Sequence, residues 1–286
     1  MDIIQHPEDM QAWTRTRSRS GKTVALVPTM GFFHEGHLSL MRRAAELCDH
    51  VVVSLFVNPT QFGPNEDLDR YPRDFERDMS LVRGENVAAV FAPTPDLMYP
   101  QGFQTEIRVQ DLATHLCGRS RPGHFAGVAT VVTKLFNIVL PDVAVFGEKD
   151  YQQLAIIRRM VRDLNIPVRI VGHPIVREAD GLAMSSRNAN LDPGNRAAAL
   201  SLSTALKLAR DQVRQGVTDA AALTATLTAY IHGHMGTEVD YVSFVDGDSL
   251  EPAATVTAST VLALAVRIDG KVRLIDNGLV MERPAA

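Results

Sequence analysis

The sequence predicts an α/β protein in which a doubly wound parallel sheet domain precedes a smaller α+β domain. Three observations carry this. Short, continuously apolar runs rich in Val and Ile alternate with helical patterns through the first part of the chain. Strands this apolar are buried on both faces, as in a parallel sheet covered by helices. Beyond Val176 the order changes, and two long helical segments precede three strand-like runs. The length, 286 residues with 45% hydrophobic and 22% charged, suits one large or two modest globular domains.

Taken in order, residues 24–27 read as a strand that ends in a glycine loop. A helix to about residue 48 follows, with Leu38, Met41, Ala45 and Cys48 at helical spacing. A strand at 50–57, a helix around 75–82 and a strand at 87–91 come next. The helical pattern at 127–139 is stopped by Pro141. Then come a strand at 143–146, a helix from 150 to about 164 and a strand at 168–171. This succession makes residues 1–176 a Rossmann-like domain, with its ligand expected at the carboxyl ends of the strands. The turn Arg177-Glu178-Ala179-Asp180-Gly181 opens an α+β C-terminal lid domain, residues 177–286. It holds helices at 193–215 and 219–234 and strands at 239–245, 261–268 and 272–274. Asp-Gly turns are expected at 246–247 and 269–270.

Composition narrows the partners. The formal charge is −4, with both signs mixed along the chain. No basic stripe suggests nucleic acid. No apolar run approaches the ~18 residues of a membrane helix. The start, MDIIQHPEDM, lacks the basic and apolar regions of a signal peptide. Cys48 and Cys117 are far apart without paired spacing, so both are expected as reduced thiols in a cytoplasmic protein.

The chemistry concentrates at strand-to-helix joints. The loop Val27-Pro28-Thr29-Met30-Gly31-Phe32-Phe33-His34-Glu35-Gly36-His37-Leu38 carries two imidazoles beside two glycines. A helix N-terminus offers unpaired N–H groups and a positive dipole end, a natural seat for a carboxylate or phosphate, and glycine lets the ligand approach the backbone. The dinucleotide fingerprint G-x-G-x-x-G and the P-loop pattern are both missing. The histidines stand three apart rather than four, and no Cys/His cluster completes a metal site, so metal ligation is not expected. Two further loops bring cations and hydroxyls to expected ligand edges: Phe146-Gly147-Glu148-Lys149-Asp150-Tyr151-Gln152-Gln153 and Leu182-Ala183-Met184-Ser185-Ser186-Arg187-Asn188. Together the three loops suggest a phosphate cradle.

The segment from Pro28 to His37 closely resembles the nucleotide signature of the pantoate–β-alanine ligase family. Six further blocks match in order: Val57-Asn58-Pro59-Thr60-Gln61-Phe62, Tyr71-Pro72-Arg73, Arg121-Pro122-Gly123-His124-Phe125, Phe146-Gly147-Glu148-Lys149-Asp150, Met184-Ser185-Ser186-Arg187-Asn188 and Arg273-Leu274-Ile275-Asp276-Asn277. They span nearly the whole chain. Phe32-Phe33 departs from the smaller Ala-Leu pair expected there.

The resemblance implies a nucleotidyltransferase-type reaction in which pantoate attacks the α-phosphate of ATP, giving pantoyl adenylate and pyrophosphate. β-Alanine then attacks the acyl carbon and releases AMP. It also implies roles. His34 and His37 face the phosphates, and Lys149, Ser185, Ser186 and Arg187 hold the β- and γ-phosphates. Met30, Gly31, Gly36, Gly147, Asp150, Val176 and Met184 complete the ATP site. Gln61 and Gln153 grip pantoate, with Gln61 also near β-alanine. Mg²⁺ rides on phosphate oxygens rather than on a protein metal site, and the assembly is a homodimer. Arg121 and His124 either line the site or cap the helix that follows. The competing readings are another adenylyl- or cytidylyltransferase, and a silent nucleotide-binding protein. Product analysis separates them, because AMP, pyrophosphate and an amide mark the ligase.

Overall fold

The computed structural model describes residues 1–64, 66 and 68–281. The chain forms two compact units. One comprises Met1–Ala113, Arg121–Glu148 and Gln153–Pro174; the other comprises Thr114–Ser120, Lys149–Gln152 and the chain from Ile175 onward.

The first unit is built on β1 (Asp2–Ile4), β2 (Val24–Thr29), β3 (His50–Leu55), β4 (Ala89–Phe91), β5 (Val143–Gly147) and β6 (Arg169–His173). Their order is β1-β4-β3-β2-β5-β6, and every pairing is parallel. From β2 the chain moves outward one way through β3 and β4, and later the other way through β5 and β6. The reversal falls between β2 and β5, the point where such sheets take ligands.

Successive strand residues alternate between two cores. Val24, Leu26, Val52, Ala144 and Phe146 meet α1 (Pro7–Arg19), α6 (His124–Val139) and α7 (Tyr151–Asp163). Ala25, Val27, Val51, Val53, Val143 and Val145 meet α2 (Glu35–Ala45) and α3 (Phe75–Val82). Both faces are therefore apolar, which is why the strands read as unbroken hydrophobic runs. Elements new relative to the sequence reading include the edge strand β1, and α1, which buries only Met10 and Thr14. Two short helices, α4 (Pro95–Met98) and α5 (Leu116–Ser120), fill connections.

The second unit has α8 (Arg196–Arg214) and α9 (Ala220–His232) packed on an antiparallel sheet of β7 (Thr237–Asp246), β8 (Thr260–Ile268) and β9 (Val272–Leu279). The turn at Asp269-Gly270 forms as expected, with φ of 51° and 64°. The one at 246–247 does not join two strands directly, because residues 247–259 intervene before β8. Two segments distant in sequence attach to this sheet: Tyr151 donates to Gly247 O at 2.8 Å, and the Cys117 thiol lies 3.1 Å from the Tyr241 hydroxyl. No helix among the described residues is long and apolar enough to cross a membrane.

Candidate active site

The loop after β2 turns through a left-handed stretch, Gly31 at φ 84° and Phe32 at φ 52°. One carboxylate holds it there. Asp78 of α3, 1% exposed, accepts from the N–H groups of Phe32 and Phe33, each at 2.7 Å. Burial raises the Asp78 carboxyl above its ordinary range, and the two N–H bonds and the nearby Arg77 oppose that rise only in part. A Cβ at Gly31 would lie 3.0 Å from the same carboxylate, so glycine is required by both φ and space. The Phe-Phe pair is accommodated in two ways. Phe33 is fully buried in the core beneath α2, and Phe32 lies under the Arg77 guanidinium, 4.8 Å from its ring centre.

His34 and His37 form the N-terminal cap of α2. His34 Nδ1 accepts from Gly36 N at 3.1 Å, and His37 Nδ1 accepts from His34 N at 3.4 Å. This is a capping box made of two imidazoles, whose ring centres lie 4.1 Å apart. A nitrogen that accepts carries no proton, so the geometry assigns each ring as the neutral Nε2–H tautomer. The capping bonds therefore turn two donors away from the helix's first turn.

Gln61 is set by a buried network. Asn58, 1% exposed, donates from Nδ2 to Gln61 Oε1 at 3.1 Å and to Gly127 O at 3.2 Å, and accepts from the Tyr99 hydroxyl at 2.8 Å. With its Oε1 so engaged, the Gln61 amide directs Nε2 to Met30 Sδ at 3.2 Å, which brings two expected site residues together. Arg121 and His124 do not cap α6, whose N-cap Gly123 has no side-chain cap; they join the Gln61 network instead. The Arg121 guanidinium, a donor only, lies 3.0 Å from His124 Nε2, which must accept. His124 Nδ1–H then donates to Gln61 O at 2.8 Å. Arg121 is itself fixed by a two-bond pair with Glu66 at 2.7 and 2.6 Å. Burial pushes the Glu66 carboxyl up, but Arg121 outweighs it and holds the group below its ordinary range. Gln153 is half-buried on α7 and makes no side-chain hydrogen bond to the described residues.

In the second unit, residues 176–184 form a small hairpin. Arg177 and Ala183 pair, and Met184 N donates to Val176 O at 2.9 Å, which joins two expected nucleotide contacts. Ser185 caps the helical turn Ser186–Asn190 by accepting from Arg187 N at 3.3 Å, and Ser186 is buried. Lys149 stands in the turn after β5, its ammonium 3.7 Å from Asp150. Gly147 ends β5.

Two kinds of site-shaping residue escaped the sequence reading. Asp78 had one signal, an acid lying beside Met79 and Val82 on the buried stripe of α3. The capping role of the histidines had none, because imidazole is an unusual cap.

The family model for Pantoate-beta-alanine ligase matches residues 2–279. The pantothenate synthetases of Desulforapulum autotrophicum and Heliobacterium modesticaldum are 57% and 56% identical to the chain, each over 280 residues covering 98% of it and 99% of the relative. A crystal structure of pantothenate synthetase from Thermus thermophilus matches with a TM-score of 0.93 at 43% identity, covering 99% of this chain and 100% of that one. The pantoate-beta-alanine ligase of Francisella tularensis, solved in complex with beta-gamma ATP and beta-alanine, matches with a TM-score of 0.81 at 33% identity, covering both chains fully. With a family match over residues 2–279 and relatives of more than half identity across almost its whole length, the chain belongs to the pantoate-beta-alanine ligase family.

Proposed function

We infer that the chain condenses (R)-pantoate with β-alanine to pantothenate, a coenzyme A precursor, consuming ATP and releasing AMP and pyrophosphate. The observation that carries this is the imidazole capping box at the switch point of the parallel sheet, together with a Gln61 amide oriented by Asn58 and directed at Met30 of the same loop. Family membership supports the substrates, and the imidazole Nε2–H groups are the donors this reading assigns to the developing negative charge.

In the first step a pantoate carboxylate oxygen bonds to the α-phosphorus, and the bond to the bridging oxygen breaks with its electron pair leaving on pyrophosphate. In the second, the β-alanine amine bonds to the acyl carbon, sheds a proton, and AMP departs with the electron pair of the broken C–O bond. Neither step needs a protein nucleophile. Positioned donors are the main catalytic tool for such charge. On this reading the Nε2–H groups of His34 and His37 stabilise the α-phosphate by hydrogen bonding, not by proton transfer, since pyrophosphate leaves readily without protonation. Lys149, Ser185, Ser186 and Arg187 serve the β- and γ-phosphates. Met30, Gly31, Gly36, Gly147, Asp150, Val176 and Met184 serve the rest of ATP. Gln61 and Gln153 hold pantoate, and Gln61 also meets β-alanine. The sulfur that Gln61 Nε2 now touches is a weak acceptor, easily replaced by a hydroxyl or carboxylate oxygen.

Among the described residues no group of three His, Cys, Asp or Glu stands ready as a metal cage. We assign Mg²⁺ to the ATP phosphates, the usual arrangement for that ion, where it neutralises charge on the leaving group. The working form on this reading is a cytoplasmic homodimer, which sedimentation would test. The decisive measurement for the reaction is exchange of labelled pyrophosphate into ATP. It should require pantoate and not β-alanine. Exchange strictly dependent on β-alanine, or ADP as product, would overturn the adenylate mechanism.

A further inference from the structure

The block Arg273–Asn277 is left without a task by the roles above. We propose that Asn277 and Asp276 are positioning residues for the cations of the second unit, an inference that rests on the phosphate-binding role of Lys149. Asn277, 7% exposed on β9, donates from Nδ2 to the backbone oxygen of Lys149 at 2.7 Å. Its own N–H donates to Asp276 Oδ1 at 2.8 Å. Asp276, 2% exposed, receives both arms of Arg177 at 2.7 and 2.9 Å. Arg177 also donates to Gly181 O at 3.0 Å, closing the hairpin whose second strand leads straight into Ser185, Ser186 and Arg187.

Neighbouring residues of a strand point to opposite faces. Asn277 therefore reaches Lys149 from one face of β9, and Asp276 reaches the hairpin from the other. Both lie in an unbroken ladder with β8, Asp276 opposite Leu264 and Asn277 opposite Ala263. One rigid dipeptide thus fixes the two backbone segments that carry the proposed phosphate ligands. A stability role alone is a poor explanation for a carboxylate so deeply buried. An apolar pair of similar volume stabilises a core as well or better than a buried ion pair, whereas the ion pair defines geometry.

The test is a double-mutant cycle read by pantoate-dependent ATP–pyrophosphate exchange on the whole protein. Asn277→Asp keeps shape but sets an oxygen against the Lys149 carbonyl. A displacement of about 1 Å at a catalytic group costs on the order of 10² in rate, which is the loss expected here. Lys149→Ala should itself lower exchange by roughly 10²–10³. In the Lys149→Ala background, Asn277→Asp should cost less than about 3-fold more, because residues acting as one unit are not additive. Asn277→Ser runs the same cycle if Asn277→Asp does not fold. Equal losses in both backgrounds overturn the proposal and make Asn277 a stability residue, leaving Lys149 its role. Parental exchange by Lys149→Ala overturns the role of Lys149 and the proposal with it.

Discussion

Gly127→Ala sets two effects of known size against each other. Gly127 lies in the first turns of α6, and replacing a helical glycine by alanine normally stabilises by about 1 kcal/mol. Here the new Cβ would lie 2.5 Å from Thr60 O, 2.6 Å from Thr60 C and 2.7 Å from Gln61 Cα. These are backbone atoms and cannot rotate aside. Reaching ordinary contact at 3.4 Å requires the helix and the turn Pro59–Gln61 to part by roughly 0.9 Å. Overpacking of this kind costs about 1–3 kcal/mol. The same gap is spanned by Asn58 to Gly127 O at 3.2 Å and by His124 to Gln61 O at 2.8 Å, and a buried hydrogen bond lost on one side costs about 1–3 kcal/mol. The clash wins, with a net destabilisation of about 1–5 kcal/mol once the helix-propensity gain is subtracted. Gln61 moves with the turn, so kcat/KM for pantoate should fall on the order of 10²-fold. The Kd for ATP should stay within a few-fold of the parent. Denaturant midpoints and exchange kinetics at varied pantoate read both quantities. A Gly127→Ala protein that is more stable and fully active would show that helix propensity alone governs this position, and the close approach would have no consequence.

Asp78→Asn leaves one acceptor for two N–H groups, so exchange should fall by about 10-fold or more, as for a missing charged hydrogen bond. Global stability should change little, because the cost of burying the charge disappears together with the bond; a stable, fully active variant refutes the loop-anchor role. Glu66 is held below its ordinary range by Arg121, so its contribution is complete above that range and is lost as pH falls through it and below. Glu66→Gln should flatten that acid limb of the stability profile, and an unchanged limb would assign it elsewhere. A pantoate analogue lacking a hydroxyl should lose up to ~10⁴ in kcat/KM against only ~10–200-fold for one lacking a methyl. Gln153→Ala should shrink that hydroxyl discrimination while ATP binding persists; undiminished discrimination removes Gln153 from the pantoate site.

The parallel sheet was legible because its strands are apolar on both faces, so β2, β3 and β5 stand out from their neighbours. α1 did not stand out although Pro7 opens it and Glu8, Asp9, Arg17 and Arg19 sit at the ends that suit their charges. It buries too narrow a stripe to show a helical period. β1, three residues at a sheet edge, is too short to show any period. In the site, the loops and their cations were visible as residue types at joints. What holds them was not. Asp78, His124, Asp276 and Asn277 act through partners 45, 63, 99 and 128 positions away, and such pairings exist only once the chain has folded.

The capping box has a consequence for anyone redesigning the chain. By helix energetics alone His34 is a poor choice, since Asn, Asp or Ser satisfies the same N–H groups better. An optimiser scoring only foldedness would replace it, gain thermal tolerance, and erase a donor that the proposed mechanism uses. On the proposed mechanism the start of a helix and the reactive surface are one set of atoms at this corner, so sturdiness and turnover are rival objectives there and must be selected together.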